Sequence, residues 1–534
     1  MTIPITVVGS TSTAGTGSLS VIFTGGAGSL STSFKLYSRI PYSLQNGADW
    51  EWGLGTCLPG NVLARTQVNS KRVSGVLTEG GTSAISLSGT TQVVLQVTET
   101  NWDGFAQETN LATELATIGV YSSLIAAPMG GPGAGMGICT PDYVPAGLIG
   151  LSGYTDRMNA NFGNYIHPAS GSIMCFIPRF WYKWGTGSNG LAVNQCSIVQ
   201  HEPGLQDFLV ANGYAVDRMF WNGGSIKSGV FVDKYLCSNN AGVAASIKNG
   251  NPLSAKATHN PVSGLTGAFP NALNSVIDAA KARGYGFFCS SRFIFAGLAR
   301  LSYAHSQQSS NATYCAYYDA TYNFPKGCTN NALGDTNDGA VLYTSDGFLS
   351  CGKTGSGTPF AKTTHNGQDC GVADLSGLMW EVTPGLSSNG TNFYVIKTSA
   401  DMASLTSGNT LSSDLWGASG LSSNYDSLGT TYGALTASSS LKLYGNAAQV
   451  FSEAQTGNAW SAAGAGIPLV GGVGGLNAFG NDGLYDYRIS DACSISGGKW
   501  NSTSAAGIWS LYMNNNNVSS DDYIGFRAAI YPTA

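Results

Sequence analysis

Charge is what this chain has least of. Lys, Arg, Asp and Glu make up 10% of its 534 residues, against roughly 25% in an average soluble protein. The formal net charge of −5 leaves no basic footprint, so no nucleic-acid partner is expected. Apolar runs are short as well. None approaches the roughly 18 residues that cross a bilayer, so no membrane insertion is expected. Met1-Thr2-Ile3-Pro4 lacks a basic n-region, and no secretory leader is expected. Histidine is scarce: His167, His201, His259, His305 and His365 are the five. None lies three or four residues from another, which excludes a helix-borne metal pair, and each is expected on the surface or in a loop. The eleven cysteines form no CxxC motif. Their odd number and scatter point to small buried hydrophobes rather than a disulfide framework.

What is present is glycine (72 residues), with Ser, Thr and Asn crowding the intervals between short apolar runs. That pattern suits a loop-rich, β-rich extracellular or virion protein, and the length suggests two to four domains. Residues 1–103 read as an all-β sandwich or barrel, with runs at Ile3–Val8, Leu19–Thr24, Phe34–Ile40, Lys71–Val76 and Thr91–Val97. Within it, Asn46-Gly47-Ala48-Asp49-Trp50-Glu51-Trp52-Gly53 resembles a stretch common in N-terminal attachment modules of phage tail proteins. Residues 104–139 read as a connector. Leu111, Leu115 and Ile118 lie at helical spacing in Thr109–Leu124, followed by the Gly/Pro-rich run Ala127–Gly135. Residues 140–534 read as one α+β domain. It has strands at Ile173–Trp184 and Gly229–Leu236, one helix over Asn271–Arg283 and a second, capped by Ser291, reaching Tyr303.

Four landmarks occur in order. They are Phe176–Lys183 with Gly229–Tyr235, the helix pair, Gly371–Val382 (reading GVADLSGLMWEV), and Ile524–Ala529 (reading IGFRAA). Together they resemble the formylglycine-generating-enzyme-like branch of the C-type lectin fold, whose signature reads DxxGNVWEW and ends in GFR. Leu378 and Val382 depart from that signature. The resemblance implies a C-type-lectin-like domain in which Trp380, Glu381, Phe526 and Arg527 are structural anchors. Large apolar side chains pin long loops, and a charged pair satisfies loop polar groups.

Phage members of that superfamily bind receptors, and some carry a C-terminal segment diversified by a retroelement. The chain is similar to such retroelement-diversified tropism determinants in residues 499–530. Between 501 and 523, fourteen of twenty-three residues are Asn, Ser, Tyr or Asp, a composition suited to adaptable recognition. The resemblance implies a receptor surface made of Trp500, Asn501, Ser502, Ser504, Ser510, Tyr512, Asn514, Asn515, Asn516, Asn517, Asp521, Asp522 and Tyr523. Alternation along Trp509–Asn514 predicts a strand that buries Trp509, Leu511 and Met513 and presents Ser510, Tyr512 and Asn514. The Asn514–Asn517 run is expected to leave it as a loop. The ligand is a glycan or a protein on a host cell. The implied setting is a phage tail, made in host cytoplasm, where the chain forms a homotrimer and joins other tail or baseplate proteins through its N-terminal module.

No catalytic residues are expected. The cysteine pair of the copper-dependent oxidases of this superfamily is missing, since only Cys493 lies beyond Cys370. Glu202, Asp207, Asp217 and Asp233 are the carboxylates available to a polysaccharide depolymerase, but the repeat rhythm of tail-spike depolymerases is absent. Asp335-Thr336-Asn337-Asp338-Gly339 begins like a calcium loop that Ala340–Tyr343 does not complete. A turn without cofactor is expected there, with one structural calcium as the alternative. The competing function is a structural tail or baseplate decoration protein without a receptor.

Overall fold

A computed structural model of the chain divides into two compact units, Met1–Ser123 and Leu124–Ala534. It describes strands between residues 5 and 97 in the first. In the second it describes 138–532 except 139, 142, 157–158, 201–205, 308–323, 408–423, 437, 445–450, 452–456, 471–478 and 480. Thr109–Leu124 and the Gly/Pro run Ala127–Gly135 lie outside the described residues. The described architecture is mostly β-sheet with few helices.

In the first unit eight antiparallel strands form one sheet. Its long members are Arg39–Asn46, Asp49–Leu58 and Val62–Val73. The sequence reading missed the second of these and ran two others together. Phe34–Ile40 meets the strand that starts at Arg39 in its last two residues, residues 34–38 lying outside the described residues, and Lys71–Val76 spans the end of one strand and the start of Val76–Thr82. Ser, Thr and Gly inside these strands hid them, because ladder pairing outweighs propensity where both neighbours supply hydrogen bonds. Glu51 and Arg65 face each other at 3.4 Å across adjacent strands.

The second unit is organised by two six-stranded sheets. The first runs in the order Phe287–Cys289, Ala528–Ile530, Gly229–Asp233, Ser172–Pro178, Asn164–His167, Ile149–Gly150, antiparallel throughout. The second runs Ser440–Leu443, Gly483–Asp486, Gly507–Asn516, Ala492–Gly497, Trp380–Val382, Ile524–Gly525. It is mixed, with parallel pairs at Leu484↔Leu511 and Trp380↔Ile524. Residues 524–530 therefore leave an edge of one sheet and enter the interior of the other, and Phe526 and Arg527 sit at the crossing. Trp380, Ile495, Ile524, Phe526 and Ile530 share one core cluster with Tyr165, Phe176 and Phe231.

The described helices include α1 (Gln206–Ala211), α2 (Ser275–Lys281), α3 (Arg292–Gln307) and α4 (Gly457–Gly464); α2 packs against the first sheet, α3 against the second, and α4 against α3. Ser291 caps α3, its hydroxyl accepting from the Ile294 amide at 3.3 Å. The helix runs past Tyr303 because nothing in Ala304–Gln307 stops it. Helix α2 is shorter than Asn271–Arg283. The Leu273 and Asn274 amides donate instead to the carbonyls of Ser519 and Asn517, so its first turn gives way to a tertiary contact.

Several of the few charges are internal. Arg527 donates from Nε to Glu381 Oε2 at 2.5 Å and from Nη2 to Oε1 at 2.6 Å, with both side chains buried. It also donates to the carbonyls of Asp233 and Ala373, each at 3.1 Å. Asp233 in turn pairs with Arg283 and accepts from the Ala528 amide. Asp217 pairs with Arg300 at 2.5 Å. These bonds commit two of the carboxylates considered for sugar hydrolysis to arginine. Cysteines 175, 196, 237, 289, 328, 351, 370 and 493 are buried free thiols.

Phe526 is fully buried, so Phe526→Ala should lower unfolding stability by roughly 3–5 kcal/mol in denaturant titration. Asp374 allows a pH test. It sits at φ +61°, with Oδ2 accepting from the Gly355 amide at 2.7 Å and Oδ1 without a partner among the described residues. Burial pushes its pKa up to about 7. A raised carboxyl pKa means that the native state keeps a proton which the unfolded chain has lost above about pH 4, so this contribution disappears as pH rises from about 4 through 7. Asn tolerates positive φ. The stability of Asp374→Asn relative to wild type should therefore increase across that window; a constant difference between the two would refute it.

Candidate functional site

Trp509, Leu511 and Met513 are buried on strand Gly507–Asn516 and Tyr512 and Asn514 are half-buried, but Ser510 is completely enclosed. Its hydroxyl donates to the Ala505 carbonyl at 2.7 Å and accepts from the Gly483 amide, and its carbonyl accepts from Arg292. The expected presentation of Ser510 is thus wrong. The strand lies between two neighbours and is covered on both faces at that point, so strict alternation fails. The asparagine run does not leave as a loop at 514 either. Pairing of Asn515 with Cys493 and Asn516 with Ala492 carries the strand through Asn516.

Trp500 is also buried, contrary to expectation, at 3% exposure. It packs with Leu236, Cys328, Cys351, Leu378 and Met379, and its amide donates to the Leu378 carbonyl. Asn517 is buried too, its backbone bonded to Asp491 and Asn274. Of the remaining expected positions Asn501 is exposed. Ser502, Ser504, Tyr512, Asn514, Asn515, Asn516, Asp521, Asp522 and Tyr523 are half-buried. Beside Asn501, Thr503 has φ +52° in an exposed position. That conformation is costly for a β-branched residue.

Two aromatic contacts tie this segment together. Tyr512 lies 4.3 Å from Trp380 and 5.4 Å from Tyr485, between ring centroids. Tyr523 lies 6.4 Å from Trp500, and the Lys499 ammonium stands 3.7 Å over its ring. Burial lowers the Lys499 pKa, while Asp522 and Asp521 oppose the shift. Burial, then Asp521, push the Tyr523 phenol up to about 12, and burial beside Tyr485 does the same to Tyr512. Both tyrosines therefore present neutral hydroxyls at physiological pH. The 517–522 turn is fastened from beneath by Ser520 Oγ to the Ala255 carbonyl, Leu273 N–H to the Ser519 carbonyl, and the His259 ring to the Asp522 carbonyl.

His259 was not anticipated in this role. His167, His259, His305 and His365 are all buried rather than on the surface. His259 stacks on Phe348 with centroids 4.1 Å apart and bonds Asp346 through Nε2 at 2.6 Å. Only its place in the loop-rich sequence between two prolines hinted at a fixed position. In the calcium-like stretch, Asp335 accepts from the Gly327 and Asn337 amides and Asp338 pairs with Lys362 at 2.5 Å. A separate cavity of about 560 Å³ is lined by residues such as Asn222, Lys281, Tyr285 and Asp401, and contains none of the positions expected to bind receptor.

No family model matches the sequence, and no curated protein matches it significantly. Among solved structures, the Major Tropism Determinant I1 variant aligns over 93% of this chain and 85% of its own, at 12% identity and a TM-score of 0.24. The M1 variant aligns over 92% and 83%, at 11% identity and 0.24. The U1 variant aligns over 74% of each chain, at 12% identity and 0.23. TM-scores this low leave the fold to be argued from the chain's own strands and contacts.

The packing of Tyr512 changes what its removal should do. Tyr512→Ala strips a partner from Trp380 and should cost roughly 1–3 kcal/mol, less than a fully buried aromatic. Asn501→Ala should stay within about 0.5 kcal/mol. Urea titrations of the two variants would show the ordering, and equal stabilities would contradict the packing.

Proposed function

We propose that the chain is a bacteriophage tail fibre or tip adhesin that binds a host-surface receptor through residues 501–523 of a C-terminal, C-type-lectin-like domain. The observation that carries this reading is the combination in that segment. A polar set rich in Asn, Ser, Asp and Tyr stands half-exposed on a framework of buried aromatic and arginine anchors. Tyrosine supplies rigid contact area, and the short polar side chains supply adaptable hydrogen bonds. The surface is distinct from the 560 Å³ cavity, which favours an extended glycan or protein over a small enclosed ligand. The chain is proposed to act without a catalytic group, as a homotrimer whose N-terminal β-module joins other tail or baseplate proteins. Its proposed place is the virion tail.

Adsorption measurements test this. The purified chain should bind susceptible cells and compete with phage adsorption. A combined Asn501→Ala, Asn514→Ala, Asp521→Ala variant should lose at least about tenfold in binding while its melting temperature changes little. A wild-type chain that neither binds cells nor competes would instead support a structural decoration protein.

A further inference from the structure

We propose that His259, Asp346 and Cys351 form a binding site for one zinc-class transition-metal dication beneath the 517–523 turn. Their ligand atoms, one from each residue, all lie within 4.8 Å of one another. Asp346 and Cys351 come from a single tight turn, closed by the Asp346 amide donating to the Cys351 carbonyl at 3.0 Å. His259 comes from a separate loop, held by stacking on Phe348 and by the edge of Trp500, 6.0 Å away between centroids.

The hydrogen bonds fix the state of the imidazole. The Asp522 carbonyl can only accept, so Nδ1 of His259 carries the proton and donates to it. That is the outer-shell arrangement which orients a metal-binding histidine, because it leaves the Nε2 lone pair for the ion. Nε2 points at Asp346 Oδ2 across 2.6 Å. Two lone pairs cannot face each other at that distance without a positive charge between them. A metal cation at this place would supply that charge, and the Cys351 sulfur, which otherwise points at the Gly352 and Leu378 carbonyls at 3.6 and 4.0 Å, lies within reach of it.

A metal ion uses all three groups. The Cys351 S–H bond breaks as the S–metal bond forms, and the proton leaves to buffer. One thiolate and one carboxylate then balance the dication, so the enclosed site is neutral. Thiolate and imidazole together favour zinc or cobalt over calcium or magnesium. Bonds of about 2.0–2.3 Å in tetrahedral geometry place ligand atoms roughly 3.3–3.7 Å apart. Nε2 and Oδ2 would separate by about 1 Å, with a water carried in by the ion as the fourth ligand. The Oδ1 atom of Asp346 stays fixed by the Phe348 amide at 2.8 Å.

The test uses the full-length chain stripped with a chelator and titrated with Co²⁺, then with Zn²⁺. The wild type should bind one ion that gives thiolate-to-cobalt charge-transfer absorption, and excess zinc should raise its melting temperature. Cys351→Ser should lose the absorption and the zinc-dependent stabilisation. His259→Gln should weaken cobalt binding by at least about tenfold. Circular dichroism of the metal-free variants checks their folding, and the wild-type titration stands whether or not they fold. A stripped wild type without the absorption band, or a band that survives in folded Cys351→Ser, would overturn the proposal. In the first case the cluster is an imidazolium–carboxylate pair. Neither result depends on receptor binding.

Discussion

The bidentate pair between Arg527 and Glu381 holds the larger unit together. Glu381 belongs to one six-stranded sheet. Arg527 lies between the strand that ends in that sheet at Gly525 and the strand that begins in the other at Ala528. Removing either partner alone leaves a buried charge, a loss of about 3–5 kcal/mol. Replacing both with apolar groups need not destabilise the fold by that much. What the pair provides is geometry. A guanidinium has five donors in fixed directions, and here they also satisfy the carbonyls of Asp233 and Ala373. Two sheets and the 373–374 loop are thereby set in one arrangement.

The same device recurs through the unit and gives the low charge content a structural meaning. Arg300 joins Asp217 to the carbonyls of Ala463 and Gly464. Arg283 joins Asp233 to the Ala244 carbonyl. Arg292 donates to the carbonyls of Ala465 and Trp509 and to the Ser496 hydroxyl. Long irregular segments bury backbone carbonyls that no ladder can pair. A chain with few regular elements needs buried donors of long reach, and arginine supplies several from one side chain. These four arginines, Arg527 included, are thus placed where loops cross the core.

Much of this was legible where a residue's role is set by its immediate neighbours. Ser291 caps a helix because of the apolar periodic residues that follow it, and the Thr91–Val97 strand follows its apolar run. Trp380, Glu381, Phe526 and Arg527 were marked as anchors by the motif resemblance rather than by their local sequence, and all four side chains are buried. Burial imposed from a distance was not legible. Ser510 sits in polar company in sequence but between two strands in space, and Trp500, flanked by Lys499 and Asn501, is enclosed by residues between 236 and 379. The burial of the histidines was illegible for a related reason, although His259 and His365 do lie in loops. In a chain so poor in charge, a loop histidine is useful as a buried hydrogen-bonding group, and nothing local distinguishes that use from exposure.

These tertiary contacts also bear on how the proposed receptor surface would act. Its polar side chains are mostly half-buried, and the turn that carries Asp521 and Asp522 is bonded from below by the 255, 259 and 273 loops. Backbone that is held before contact need not be ordered on binding, which lowers the entropic cost of association. A net charge of −5 over 534 residues offers little long-range steering, so association would depend on short-range fit and change little with salt. A single surface of this kind gains from pre-organisation but not from capture at a distance. Presenting several copies together would raise the effective concentration after the first contact. Multivalent attachment would therefore be the physical complement of the proposed surface on a chain of low net charge.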